Sequence, residues 1–294
     1  MPEIQVNGVR LHYESHGSGA PLVFVHEFAG DLRSWTDQVR YFGRRYRVVT
    51  YNARGYPPSE VPARPAQYSQ DIAVDDLAGV IQGLGLAPAH VVGLSMGGYA
   101  TLHLGLRYPR LARSLVVAGC GYGSAPGQQE SFRQEAREAA RRFDEDFQGF
   151  CAAYTAGPTR LQLERKDPTG YARFVENFRG HSPQGAAHTM RGVQAQRPSV
   201  YSLEAGLEKM EVPTLILTGD EDEPCLDVGV YLKRTLPAVA LITFPNAGHL
   251  INIEEPAMFN RTVLEFITEV DAGRWPKRDP RTRAQAVLFQ EKKD

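Results

Sequence analysis

The chain has 294 residues, 42% of them hydrophobic and 23% charged, enough for one large α/β core with an insertion and ordinary for a soluble globular protein. Lys plus Arg number 33 against 34 Asp plus Glu, a formal net charge of −1, so neither nucleic acid nor an anionic membrane is expected as a partner. No stretch approaches the roughly 20 apolar residues of a transmembrane helix, and three widely spaced cysteines (Cys120, Cys151 and Cys225) without a CxxC pair argue against a disulfide framework or a zinc site.

The opening MPEIQVNGVRLHY is polar and alternating, without the basic and apolar regions of a signal peptide; with the cysteine usage, a reducing cytoplasm is the expected location. Glu3–Val6 and Val9–His16 alternate like half-buried strands about the turn signal Asn7-Gly8. Pro21–His26 is a continuous apolar run and predicts a buried central strand, followed by a helix over Asp31–Phe42 with Asp31 as N-cap. Tyr46–Tyr51 predicts the next strand. After the Pro-rich loop Gly55–Pro65, the apolar positions Ile72, Val74, Leu77, Val80, Ile81 and Leu84 predict a helix. Strand Ala89–Leu94, helix Gly97–Tyr108 and strand Arg113–Ala118 continue the alternation.

From Gly121 to about Met210 the pattern becomes mainly helical and rich in Arg, Glu and aromatics. Alternation resumes with Pro213–Thr218 and Leu241–Phe244 and ends in an amphipathic helix near Glu254–Val270. The expected fold is therefore α/β, a mostly parallel central sheet flanked by helices, divided into a core over 1–120, a helical cap inserted after the sixth strand over 121–210, and a second core part over 211–272. A helical insertion between two strand blocks is expected to lie over the carboxyl edge of the sheet, where open α/β sheets bind ligands. The charged, Pro-containing stretch 273–294 reads as a loosely held tail.

Gly93-Leu94-Ser95-Met96-Gly97-Gly98 lies where strand Ala89–Leu94 gives way to a helix. In that context a G-x-S-x-G motif reads as a turn lifting a nucleophilic serine above the sheet; outside it, the motif is only a Gly-rich turn that packs a helix on a strand. Small residues two before and two after the serine relieve the crowding of so tight a turn, and the following helix aims its N–H groups at the same point. A serine hydroxyl needs a base, and the base works best when a carboxylate orients it. The chain order for such a site is Ser, then Asp or Glu, then His. Of the histidines after Ser95, His103 falls inside the next helix. His181 and His188 fall in the helical insertion, where a surface role or substrate contact is expected. His249 follows a strand in Pro245-Asn246-Ala247-Gly248-His249 and is the candidate base. For the acid, the loop Gly219-Asp220-Glu221-Asp222-Glu223 holds four consecutive carboxylates, which cannot all be desolvated; the spacing alone leaves the choice among them open.

With these residues in place, the chain resembles the α/β-hydrolase superfamily from about Val6 to Val270, and more narrowly its small capped esterases, enol-lactonases and carbon–carbon bond hydrolases. The resemblance implies Asp222, three residues after Gly219, as the acid, with Asp220 as the fallback. It implies His249 after its Ala-Gly pair as the base, and an oxyanion hole formed by the N–H groups of Met96 and Phe28. In the oxyanion loop, His26-Glu27-Phe28 replaces the usual His-Gly-x. A carboxylate close to an oxyanion would oppose its charge, so Glu27 must point away or be paired. Arg54, in Asn52-Ala53-Arg54-Gly55 on a neighbouring loop, is the expected partner, the alternative being a solvated Glu27. His26 is expected to anchor the loop and not to react.

These residues predict a serine hydrolase that cleaves a carboxylic ester or lactone of a small apolar molecule through an acyl-enzyme formed on Ser95. No metal or organic cofactor is expected. A second reading keeps the triad but cleaves the carbon–carbon bond of a vinylogous diketone; a third, of another class, is a ligand receptor that keeps the fold without turnover. The aromatics Phe132, Phe143, Phe147, Phe150, Tyr154, Tyr171, Phe174 and Phe178 suggest an apolar pocket in the insertion, although any single one is better read as packing the cap on the core.

Overall fold

The computed structural model describes residues 2–283. Eight strands form one sheet: β1 (Glu3–Val6), β2 (Val9–His16), β3 (Ala20–Val25), β4 (Tyr46–Tyr51), β5 (Ala89–Leu94), β6 (Ala112–Ala118), β7 (Thr214–Gly219) and β8 (Val239–Phe244), in the order β1-β2-β4-β3-β5-β6-β7-β8. β1 and β2 form an antiparallel hairpin, with Asn7 and Gly8 both at positive φ as its two-residue turn requires. β2 is antiparallel to β4, and all later pairings are parallel. Strands buried on both faces explain the continuous apolar runs. Leu22 and Phe24 of β3 enter one core, with Trp35, Phe42, Phe259 and Val263. Val23 and Val25 enter the other, with Leu77, Ile81, Tyr99, Leu102 and Leu232.

The helices divide accordingly. α1 (Thr36–Phe42) and, after the short α11 (Ile251–Glu254), α12 (Pro256–Asp271) cover the first face; α2 (Gln70–Gly83), α3 (Met96–Arg107) and α10 (Glu223–Thr235) cover the second. The chain runs from β3 to β4 on one side and returns to place β5 on the other. The loops after β3 and β5 therefore diverge to opposite faces, and this switch point opens a crevice at the carboxyl edge. Asp31 caps the turn Leu32–Trp35 before α1, accepting from the Arg33 N–H.

Between β6 and β7 the described chain is helical: α4 (Gln129–Glu145), α5 (Phe147–Thr155), α6 (Leu161–Lys166), α7 (Pro168–Arg179), α8 (Pro183–Thr189), a π-turn over Met190–Gln194 and α9 (Glu204–Leu207). Ala136, Ala140 and Phe143 lie on one side of α4 and are its buried residues. Phe143 and Phe178 meet edge to face within the insertion and reach Phe28 of the core at centroid distances of 5.7 and 5.9 Å. This aromatic cluster joins the helical insertion to the loop after β3.

The stretch after α12 departs from a loosely held tail. Trp275 packs edge-on against Phe266 at 4.7 Å and donates from Nε1 to the Ala238 carbonyl, and the Arg278 N–H donates to Pro237 O at 2.7 Å. An apolar indole with one polar handle packs beside the start of β8, which composition does not reveal. Residues 284–294 of the expected tail lie outside the described residues.

Candidate active site

Ser95 stands between β5 and α3 with φ 55° and ψ −113°, a conformation that costs a non-glycine residue about 1–3 kcal/mol and persists only where its surroundings impose it. Its N–H donates to Ala118 O of β6 at 2.8 Å, and its carbonyl accepts from Tyr99 in the first turn of α3. The flanking glycines are forced by space. A Cβ on Gly97 would lie 2.1 Å from Val25 O, and one on Gly93 would lie 2.1 Å from Gly97 O. The turn thus tucks against the end of β3 and brings α3 to the loop that follows that strand.

His249 is buried in the loop after β8, and its Nδ1–H donates to Asp222 Oδ2 at 2.7 Å. A neutral ring with its proton on Nδ1 leaves Nε2 as an acceptor. The loop is tied on three sides. Glu254 accepts from Gly248 N–H at 2.6 Å and Leu250 N–H at 2.9 Å, and His249 N–H donates to Thr159 O of the cap at 3.2 Å. Asp220 accepts from Ala247 N–H at 2.9 Å.

Of the four consecutive carboxylates only Asp222 is buried, with 0% exposure. Asp220 remains exposed, and Glu221 bonds to Gln162. Burial pushes the Asp222 carboxyl up, but the charge and hydrogen bond of His249 more than offset it and leave it below its ordinary value. The buried Cys225 thiol lies beside the same carboxylate, and burial together with that negative charge holds it well above its ordinary value. It therefore stays protonated beside the His249–Asp222 pair.

The loop after β3 is held equally firmly. His26 Nδ1 donates to Glu27 O at 2.7 Å, and His26 Nε2 accepts from Ala53 N–H at 3.0 Å, so the ring bridges two loops as the expected anchor. Tyr56 OH donates to Phe28 O at 2.9 Å. The expected Glu27–Arg54 pair does not form. Arg54 makes a two-armed pair with Asp76 of α2, at 2.6 Å from Nε and 2.8 Å from Nη2. Glu27 instead meets Arg160 of the cap, Oε2 to Nη2 at 3.3 Å, with both side chains buried. Neighbouring loops in the sheet said nothing of the helix and cap packed above and below them. The solvated alternative for Glu27 fails too, since the residue is 1% exposed.

Ser95, Phe28 and His249 line one cavity of about 350 Å³ under the cap. Of the insertion's aromatics, Phe132, Phe150 and Tyr154 line it; Phe143, Phe147, Phe174 and Phe178 are buried in the packing, and Tyr171 bonds to Thr155 O. Met190 adds a further apolar side chain. Arg142, Arg160 and Arg197 also line the cavity, so its wall is less apolar than the aromatics suggested. Nothing in a sequence with 33 basic residues distinguishes these three. His181 and His188 are not on the surface, and neither lines this cavity: His181 bonds to Asp31 at 3.2 Å and His188 to Ala63 O at 3.2 Å, both buried. His103 is buried on α3, where loss of hydration lowers its pKa to about 4. No described helix is long and apolar enough to cross a membrane.

The family model described as alpha/beta hydrolase fold matches residues 20–256. The 2-hydroxymuconate semialdehyde hydrolase of a Pseudomonas species is 28% identical over 92% of this chain and 95% of its own length. The (E)-2-((N-methylformamido)methylene)succinate hydrolase of Acinetobacter baylyi is 26% identical over 89% and 95%. Among solved structures, an enol-lactonase from Burkholderia xenovorans superimposes with a TM-score of 0.80 at 24% identity, over 91% of this chain and 100% of that one. With the eight-stranded sheet, its switch point and a match over most of its length, the chain belongs to the α/β-hydrolase fold family.

Proposed function

We propose that the protein is a serine hydrolase that cleaves a carboxylic ester or lactone of a small molecule through an acyl-enzyme on Ser95. The observation that carries this reading is the strained Ser95 on the wall of a cavity shared with His249, whose Nδ1 is held by the buried Asp222. Helix α3 starting at Met96 and the loop carrying Phe28 supply N–H groups for an oxyanion, and Phe28 is fixed through its carbonyl by Tyr56.

In the first step His249 Nε2 takes the Ser95 proton as the oxygen attacks the carbonyl, and the oxyanion falls to the N–H groups of Met96 and Phe28. His249 then protonates the leaving group. In the second step the same imidazole activates water against the acyl-enzyme. Asp222 keeps the ring in the useful tautomer and stabilises its protonated form. The helical cap shields both steps from bulk water. The same residues would serve cleavage of a carbon–carbon bond next to a carbonyl, a reading favoured by the likeness to 2-hydroxymuconate semialdehyde hydrolase.

A fluorophosphonate probe followed by mass spectrometry tests the nucleophile. Labelling at Ser95 that is lost in His249→Ala supports the reading; a folded protein that is never labelled turns it toward a receptor without turnover. Comparing a short p-nitrophenyl ester with a vinylogous diketone then separates ester from carbon–carbon cleavage.

A further inference from the structure

The cavity that holds Ser95 and His249 is lined by three guanidinium groups, Arg142, Arg160 and Arg197, against one carboxylate, the exposed Glu135. With Glu27 paired to Arg160, this still leaves an excess of positive charge on a chain whose net charge is −1. The three differ in depth: Arg142 is exposed, Arg197 half-buried and Arg160 buried at 3% exposure.

Arg160 is the informative one. It is set by the cap turn Pro158–Arg160, the turn whose Thr159 carbonyl also receives the His249 N–H. Its engagement with Glu27 is one-armed, Nη2 to Oε2 at 3.3 Å, and Nη1 donates to Thr159 Oγ1 at 2.8 Å. The atoms that a two-armed fork would use next, Arg160 Nε and Glu27 Oε1, have no partner among the described residues. A guanidinium carries five N–H groups, so most of its donors lack an acceptor. Tyr154 and Phe174 stand over it, each with the ring centroid 5.7 Å from Cζ; a ring face favours a cation but is no substitute for an oxygen acceptor. A buried cation left this far unsatisfied is costly unless something brings oxygen acceptors to it. The contrast with Arg54, whose fork closes on Asp76 at 2.6 and 2.8 Å, indicates that a closed pair is available to this fold and is not used here.

We infer that Arg160, steadied by Glu27, is a carboxylate-recognition site, and that the substrate cleaved at Ser95 carries a carboxylate group besides the bond that is broken. The inference rests on the Ser95 reading above and narrows its substrate class. Planar guanidinium suits a planar carboxylate, while Arg197 and Arg142 draw an anion into the cavity.

The test uses two ester pairs that differ only in one charge: mono-p-nitrophenyl glutarate against its methyl ester, with the carboxylate on the acyl side, and para-acetoxybenzoate against its methyl ester, with the carboxylate on the leaving side. The wild type should show kcat/KM at least about tenfold higher for the charged member of one pair. Because Arg160→Gln alone strands Glu27 in the interior, Glu27→Gln/Arg160→Gln is assayed beside it. Either variant that folds should bring the charged-to-neutral ratio near one, and Arg160→Lys should restore part of it. Equal rates for both members of both pairs in the wild type would overturn the carboxylate site and leave the esterase reading standing. If no ester is turned over, the esterase reading fails separately. Calorimetry of glutarate against glutaramide on the Ser95→Ala protein then decides: about tenfold tighter glutarate, lost in the double variant, supports the site, and equal affinity overturns it.

Discussion

His249 Nδ1 and Asp222 Oδ2 meet at 2.7 Å across the ends of two adjacent strands, β8 and β7, with Asp222 wholly buried and Glu254 bracing the histidine loop through two backbone N–H groups. The pair holds one tautomer of the imidazole, and its consequence is testable. Asp222→Asn should keep the fold, because the amide fills the same space, yet lower kcat for any ester by about three to four orders of magnitude. Asp220→Asn, at an exposed residue, should lower it less than tenfold. Steady-state kinetics and the rate of fluorophosphonate labelling check both.

Gly97 of the elbow, set against Gly85 in the turn before β5, makes a steric test. Gly97→Ala would place a Cβ 2.1 Å from Val25 O, a backbone atom that cannot step aside. A loss of about 3 kcal/mol or more, or failure to fold, is expected, whereas Gly85→Ala, with open space but positive φ, should cost about 1 kcal/mol. Urea unfolding of the two variants separates the cases.

Arg54 and Glu27 should behave as strangers. A double-mutant cycle on Arg54→Gln and Asp76→Asn should give a coupling of about 1 kcal/mol or more, as expected of a buried two-armed pair. The same cycle on Arg54→Gln and Glu27→Gln should give less than about 0.5 kcal/mol. A large coupling in the second cycle would place Glu27 on Arg54 after all.

Asp31 links core to cap, since it accepts from Arg33 in its own loop and meets His181 between α7 and α8. Burial would raise its carboxyl, but these two partners take it far below the ordinary carboxylate range. A carboxyl depressed in the folded state stabilises the fold above its unfolded pKa of about 4, and that contribution is lost as pH falls from there toward the folded value. Asp31→Asn should therefore cost on the order of 2 kcal/mol at neutral pH and flatten the fall in stability below about pH 4. Denaturation midpoints from pH 7 to pH 2 test this; parallel curves for the two proteins would refute it.

All three cysteines are buried, and burial holds Cys120 and Cys151 up at about 12 and, with the Asp222 charge beside it, Cys225 well above its ordinary value. Thiolate is the reactive form, so a thiol-exchange reagent at pH 8 should titrate none of them in the folded protein and all three in denaturant. Early loss of Cys225 reactivity protection with activity would reveal local opening beside Asp222.

The sequence by itself determined what local chemistry dictates. The Asn7-Gly8 turn, the strands buried on both faces from β3 to β7 and the strand-turn-helix around Ser95 follow from glycine freedom and apolar patterning within a few residues. Ser95 and His249 are legible as candidates, Ser95 because it ends a strand between Gly93 and Gly97, His249 because it follows the last strand in the order serine, acid, histidine. Asp222 was not separable from Asp220 by spacing; it needed the resemblance, since which carboxylate is buried depends on how the loop folds over Cys225 and His249. Only the tertiary structure decided the pairing of charges. Arg54 reaches Asp76 over 22 positions, and Arg160 reaches Glu27 over 133. A charged side chain chooses its partner by where burial leaves it, and that is set by how the cap and α2 pack, which no periodicity in the chain encodes.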